Sequence, residues 1–168
     1  MKLLQGNTTT KSRRTGPRIG DIVEIPTPKG LAYAQYTHLH DRPPHYGELI
    51  RVLPGLYELR PSDWGAIASQ NERFFAFFPL RAALARRIVS VVAHAEVPER
   101  CKDFPVFRTG TRNPATGRVD VWWLWDGDRE WRVRVLTPEQ LELPIRGVWN
   151  DTLLIGRIVE GWSPRDEV

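Results

Sequence analysis

Four histidines, one cysteine, a run of carboxylates and seven tryptophans are the side chains here with chemistry to weigh first. His38-x-His40-Asp41, followed by His45 and Glu48, is the stretch with metal-ligand spacing. On an extended strand His38 and His40 face the same way. His45 from a loop would then close a three-nitrogen shell of the kind a catalytic zinc uses. Beside Pro43-Pro44, however, the same rings read more simply as hydrogen-bonded or solvated loop residues, so no metal is expected. Cys101 lies between Arg100 and Lys102, which would lower a thiol pKa. A catalytic thiol needs an imidazole beside it, and only folding could bring His94 there. No Gly-x-Ser-x-Gly elbow and no glycine-rich phosphate loop occurs. Asp126, Asp128 and Glu130 crowd one Asp-Gly turn, whereas acid–base chemistry needs two carboxylates in different environments within a cleft. These residues lead to no catalytic set and no cofactor.

The segment Val119–Trp131 holds four of the seven tryptophans and reads as a β-hairpin turning at Asp126-Gly127. Alternation puts Val119, Val121, Trp123 and Trp125 on one face and Asp120, Trp122 and Leu124 on the other. The expected core residues are Trp123, Trp125 and Trp131. Trp122 is then expected outside, beside Arg132 and Arg134, where an indole and a guanidinium can stack. Trp122, Asp126, Asp128, Glu130, Arg132 and Arg134 are the expected partner-binding residues, since Trp and Arg are enriched in binding hot spots.

These residues need a scaffold, and the chain can supply one. At 168 residues it suits one domain with a substantial core. One cysteine permits no internal disulfide and points to a reducing, cytoplasmic location. No membrane span or signal peptide is expected. The net charge is +4, but residues 1–18 carry Lys2, Lys11, Arg13, Arg14, Arg18 and no acid. The remainder sums to −1, so the excess sits in an expected disordered basic tail over 1–18, ahead of one β-rich domain over 19–168.

Prolines and glycines cut that domain into short elements. Strands are expected over 20–26, 31–37 and 47–53, with Pro54-Gly55 turning into another at 56–59. His38 to Tyr46 reads as a loop. Ser62 is a candidate cap for a helical segment over 63–69. Arg73–Phe78, apolar on both faces, reads as a central strand ended by Pro79. Residues 80–87 have helical spacing, and the β-branched run 88–94 reads as a buried strand. Residues 96–118 read as a long loop, and Trp131–Val135 as the return strand of the hairpin. Thr137-Pro138 and Asn150 are helix starts, the second helix ending at Gly161. The expected fold is α+β, mainly antiparallel β, as an SH3-like curled sheet or barrel with a few short helices.

The opening Gly20-Asp21-Ile22-Val23-Glu24-Ile25-Pro26-x-Pro28-x-Gly30-x-Ala32-Tyr33 resembles the start of the immunity protein 26 family of bacterial polymorphic toxin systems. In that family a Gly-Asp strand ends in Ile-Pro, and a glycine turn leads into a strand of small and aromatic residues. The resemblance covers about residues 19–36; Phe77-Phe78-Pro79-Leu80 and the tryptophan hairpin are compatible with it. The loops at 38–46 and 96–118 and the basic tail depart from it. It implies a cytoplasmic, non-enzymatic protein that binds and blocks a cognate toxin, and it carries over no contact residue. The acidic turn would suit a basic nuclease toxin. The alternatives are a nucleic-acid-binding module using the tail with Trp122, Arg132 and Arg134, and a metal-dependent enzyme at His38, His40 and His45.

Overall fold

Alternation along two long strands builds the first sheet. In a computed structural model describing residues 16–167, Asp21–Thr27 (β1) and Gly30–His40 (β2) pair antiparallel across a Pro28-Lys29 turn. Val23, Ile25, Ala32, Ala34 and Tyr36 are buried in one apolar cluster, and Ile22 and Tyr33 in another. The period of two therefore gives this sheet two buried faces. Gly47–Val52 (β3), Phe74–Phe77 (β4) and Ser90–His94 (β5) complete it in the order β4-β3-β2-β1-β5. A second sheet, β6-β7-β8, is formed by Phe107–Arg112, Val119–Trp125 and Glu130–Val133. All strand pairs in both sheets are antiparallel.

Three short helices cover the larger sheet. Leu80–Ala85 (α2) and Asp151–Glu160 (α3) pack Leu80, Ala83, Leu154 and Ile158 with Trp149 and Trp162 on the face of Val23, Ile25, Ile50 and Val52. Trp64–Ser69 (α1) puts Ile67 and Ala68 against Ile22, Tyr33 and Leu53 on the other face. On that same face, Leu49 and Phe77 meet Phe107 and Trp125 of the small sheet, and the stacked Phe77 and Phe107 rings lie 4.9 Å apart. This aromatic joint holds the two sheets together. The segment 144–149 adds a backbone tie to each. Ile145 bridges Arg108 on β6, and Val148 bridges Phe77 on β4, both in parallel sense.

The fold is thus α+β and mainly antiparallel, as expected, but the strands form two sheets and no closed barrel among the described residues. Several expected elements differ. His38–His40 extend β2 rather than opening a loop. Leu56–Leu59 form no strand; a single bridge joins Tyr57 to Leu31. β4 is not central. It ends its sheet, and it is apolar on both faces because the helices cover one, the aromatic joint the other and Val148 its edge. β5 is an edge strand that is only half-buried. The expected loop over 96–118 contains a 3-10 turn, Glu99–Cys101, and all of β6. Asp63, not Ser62, caps α1, its Oδ1 accepting from Ala66 N at 2.9 Å. Asn150 and Gly161 do bound α3, with Asn150 Oδ1 accepting from Leu153 N at 2.8 Å. The expected basic tail lies outside the described residues as far as residue 15; Arg18 N donates to Asp21 Oδ2 at 2.9 Å. No helix is long and apolar enough to cross a membrane among the described residues.

An ion pair between exposed Arg60 and buried Glu24 ties the Pro54–Ser62 connection to β1. Arg60 forks onto Glu24, Nε donating to Oε2 at 2.8 Å and Nη2 to Oε1 at 2.9 Å, while the Tyr33 hydroxyl donates to Oε2 at 3.0 Å. The Arg60 fork holds the Glu24 carboxyl below its ordinary value of 4.5, against the opposing effect of burial and with help from Tyr33. Burial, then the Glu24 carboxylate, pushes the Tyr33 hydroxyl up to about 12. A carboxyl lowered by folding stabilises the fold above its unfolded value, and this contribution is lost as pH falls through its folded value. Glu24→Gln is therefore expected to be less stable than the native chain at neutral pH. The gap should close on acidification below 4.5, as read from urea midpoints across a pH series. A gap that stays constant with pH would remove the pair from the account.

Candidate binding face of the small sheet

The small sheet has two unlike faces. On one, Arg108 of β6 lies opposite Leu124, Gly110 opposite Trp122, and β8 adds Trp131 and Val133. The C-terminal segment packs here. Arg108 is fully buried, its Nη2 donating to Leu141 O at 3.3 Å and to Pro164 O. Its guanidinium carbon sits 4.6 Å from the centre of the Trp122 ring, and its Nε and Nη1 have no hydrogen-bond partner among the described residues. The indole face and the Glu167 carboxylate together favour that cation. Gly110 makes room for the arrangement. A Cβ there would lie 2.3 Å from Val119 Cγ1 and 3.0 Å from the Trp122 ring.

The expected alternation of β7 holds, but the assignment of the Trp122 face to the surface is wrong. Trp122 is 8% exposed, whereas Trp123 and Trp131, both expected in the core, are each 39% exposed. Trp125 is buried as expected. Its partners are the joint residues Phe107, Phe104, Tyr46 and His40, with Arg146 4.4 Å above its ring centre. The hairpin alone could not reveal the phase. Both of its faces receive cover, but the second face receives it only at the Trp125 end.

Beyond Trp125 that second face is open. Trp123 stands on the central strand β7, with Thr109 opposite it on β6 and Arg132 on β8. Arg132 and Arg134 are exposed, with no carboxylate partner among the described residues. The acidic residues of the turn are all engaged. Asp128 pairs with Arg42, Glu130 with Arg146, and Asp126 with Arg129 at 3.5 Å. Asp126 Oδ1 also accepts from the backbone N–H groups of Arg129 (2.8 Å) and Asp128 (3.0 Å). Those bonds, the Arg129 one foremost, lower its carboxyl below the ordinary carboxylate range. Asp126, Asp128 and Glu130 thus shape the turn and brace it against the β2–β3 connection and the 144–149 segment. The charge left uncompensated beside Trp123 is positive.

The other sequence candidates separate. His38 and His40 do share a face of β2. His38 Nε2 lies 2.8 Å from Lys102 O, and His40 packs into the aromatic joint with Nε2 3.4 Å from Gly127 O. No group of three or more His, Cys, Asp or Glu comes together to hold a metal among the described residues. Cys101 meets no imidazole. Its thiol donates to Glu72 Oε2 at 3.3 Å, and burial, then the Glu72 carboxylate, pushes the thiol pKa up. This is the reverse of the lowering that Arg100 and Lys102 suggest in the sequence. His94 instead contacts Asp21. No protein-family model, curated protein or solved structure matches the chain.

Proposed function

We propose that this chain is a binding protein that neutralises a cognate toxin by covering it, and that contact is made by the open face of the small sheet around Trp123. The observation that supports this reading is a half-exposed tryptophan at the centre of a strand-rich surface, beside Arg132. Such a pair is what binding hot spots favour, because a large rigid ring is desolvated at little entropic cost. The resemblance of residues 19–36 to toxin-immunity proteins supplies the class of partner. With the acidic turn already neutralised, the complementary patch on that partner offers a carboxylate to Arg132.

Co-expression with a toxin encoded beside the chain's gene should restore growth, and the two proteins should co-purify. Trp123→Ala should weaken both effects. If no toxin gene adjoins it and no protein co-purifies, the reading fails. A second reading rests on the same uncompensated arginines: a single-stranded nucleic acid stacked on Trp123. Salt-dependent binding of RNA or single-stranded DNA, lost in Arg132→Gln, would favour it over the first.

A further inference from the structure

The Asp21 carboxylate and the His94 imidazole form a second site, on the larger sheet and apart from the toxin-binding reading. Asp21 begins β1 and is fully buried; His94 ends the neighbouring β5, its side chain 44% exposed. His94 Nδ1–H donates to Asp21 Oδ1 at 3.0 Å. An acceptor-only carboxylate requires the proton on Nδ1, which leaves Nε2 with its lone pair. The ring lines a cavity of about 640 Å³ with Ile19, Thr37, His38, Val97 and Lys102. That volume falls in the range of roughly 300–1,000 Å³ typical of small-molecule sites. Gly20 leaves space for the ring. At its φ of +98°, a Cβ would lie 2.7 Å from His94 Cε1 and 2.8 Å from Ala95 O. Gln35 pins the cavity's backbone floor, Nε2 donating to Ala95 O at 2.8 Å. Lys102, paired with Glu99 at 2.7 Å and Glu96 at 3.1 Å, lines the same cavity together with Glu96.

We infer that this cavity is an acyl-transfer site for a small ester, with His94 as the catalytic nucleophile and Asp21 as its positioning residue. The Nε2 lone pair adds to the ester carbonyl carbon. The carbon–oxygen bond to the leaving group breaks, and the alkoxide or phenolate departs with the electron pair. The acyl-imidazolium keeps its Nδ1 proton, facing the Asp21 carboxylate. Water then adds to the acyl carbon, releasing the carboxylic acid, a proton that balances the departed anion, and the neutral ring.

The test uses p-nitrophenyl acetate with the full chain, against an equal concentration of free 4-methylimidazole. The native chain should release p-nitrophenolate on the order of tenfold faster than the free imidazole or more. His94→Gln should bring the rate to background, while His45→Gln should leave it unchanged. Peptide mass spectrometry of a quenched reaction should place the acetyl group on His94. Asp21→Glu should retain more of the rate than Asp21→Asn, which a purely structural carboxylate would not predict. If Asp21→Asn fails to fold, the half-exposed His94 variant and the acetyl position still decide. A native rate no higher than free imidazole, or a His94→Gln rate equal to the native one, overturns the inference.

Discussion

Replacing Trp122 with alanine is expected to lower the free energy of unfolding by about 3–5 kcal/mol, while Trp123→Ala leaves the urea midpoint nearly unchanged. The two residues are chain neighbours, so composition and location are matched and only the face differs. Trp122 is buried beneath the C-terminal segment, and its ring stacks on the buried Arg108 cation. Removing it leaves a cavity and also a guanidinium with two donors facing nothing. Trp123 has no such dependants. Its loss should appear in affinity instead, as about 2 kcal/mol or more, roughly thirtyfold in Kd, by calorimetric titration with the toxin partner. The reverse pattern, with Trp123→Ala unfolding the chain and Trp122→Ala weakening only binding, would mean that the opposite face of the small sheet is the working one.

Arg51→Met should cost about 3–5 kcal/mol despite filling much of the same volume. Arg51 sits mid-strand on β3 and is 0% exposed. Its Nε donates to Gln35 Oε1 at 2.8 Å, its Nη1 to Gln70 O at 3.1 Å, and its Nη2 to Ala68 O. Glu72 lies 3.5 Å from Nη1 and also receives the Cys101 thiol. The cation therefore gathers the end of α1, the approach to β4 and the Gln35 side chain of β2. Methionine supplies the bulk and none of the donors, so several buried acceptors lose their partners at once. Arg51→Lys should recover only part of the loss, because one ammonium cannot span a fork of three directions. Urea unfolding at neutral pH measures both; a change below about 1 kcal/mol for Arg51→Met would show that the network relaxes around the gap.

Much of the larger sheet was legible because its strands follow simple local rules. Ile22 to Ile25 and Ala32 to Tyr36 alternate, Pro and Gly mark the turn between them, and Asn150 and Gly161 bracket α3. β6 was not legible. Thr109-Gly110-Thr111 looks like loop composition, and only the Trp122 ring lying across Gly110 makes a strand of it. Arg51 reads in sequence as an ordinary exposed position of an alternating strand. Its burial depends on α1 and the Gln70–Glu72 backbone arriving from elsewhere. Of the candidate binding residues, Arg132 and Arg134 are exposed, as their alternation suggested. The exposure of Trp123 was not legible, because the cover that decides which face of β7 is buried comes from residues 141–167, far along the chain.

The ties made by Ile145 and Val148 also set an order for assembly. Residues 144–149 leave the ribosome after all eight strands, so until then the outer edges of β4 and β6 stand open together. Each is then an unpaired strand edge of the kind that recruits other chains, and that of β4 is apolar throughout. A nascent chain that pauses between Val133 and Trp149 thus carries two sticky ends and a half-built aromatic joint. The strap works as a final latch, turning two adhesive edges into one finished surface as it emerges.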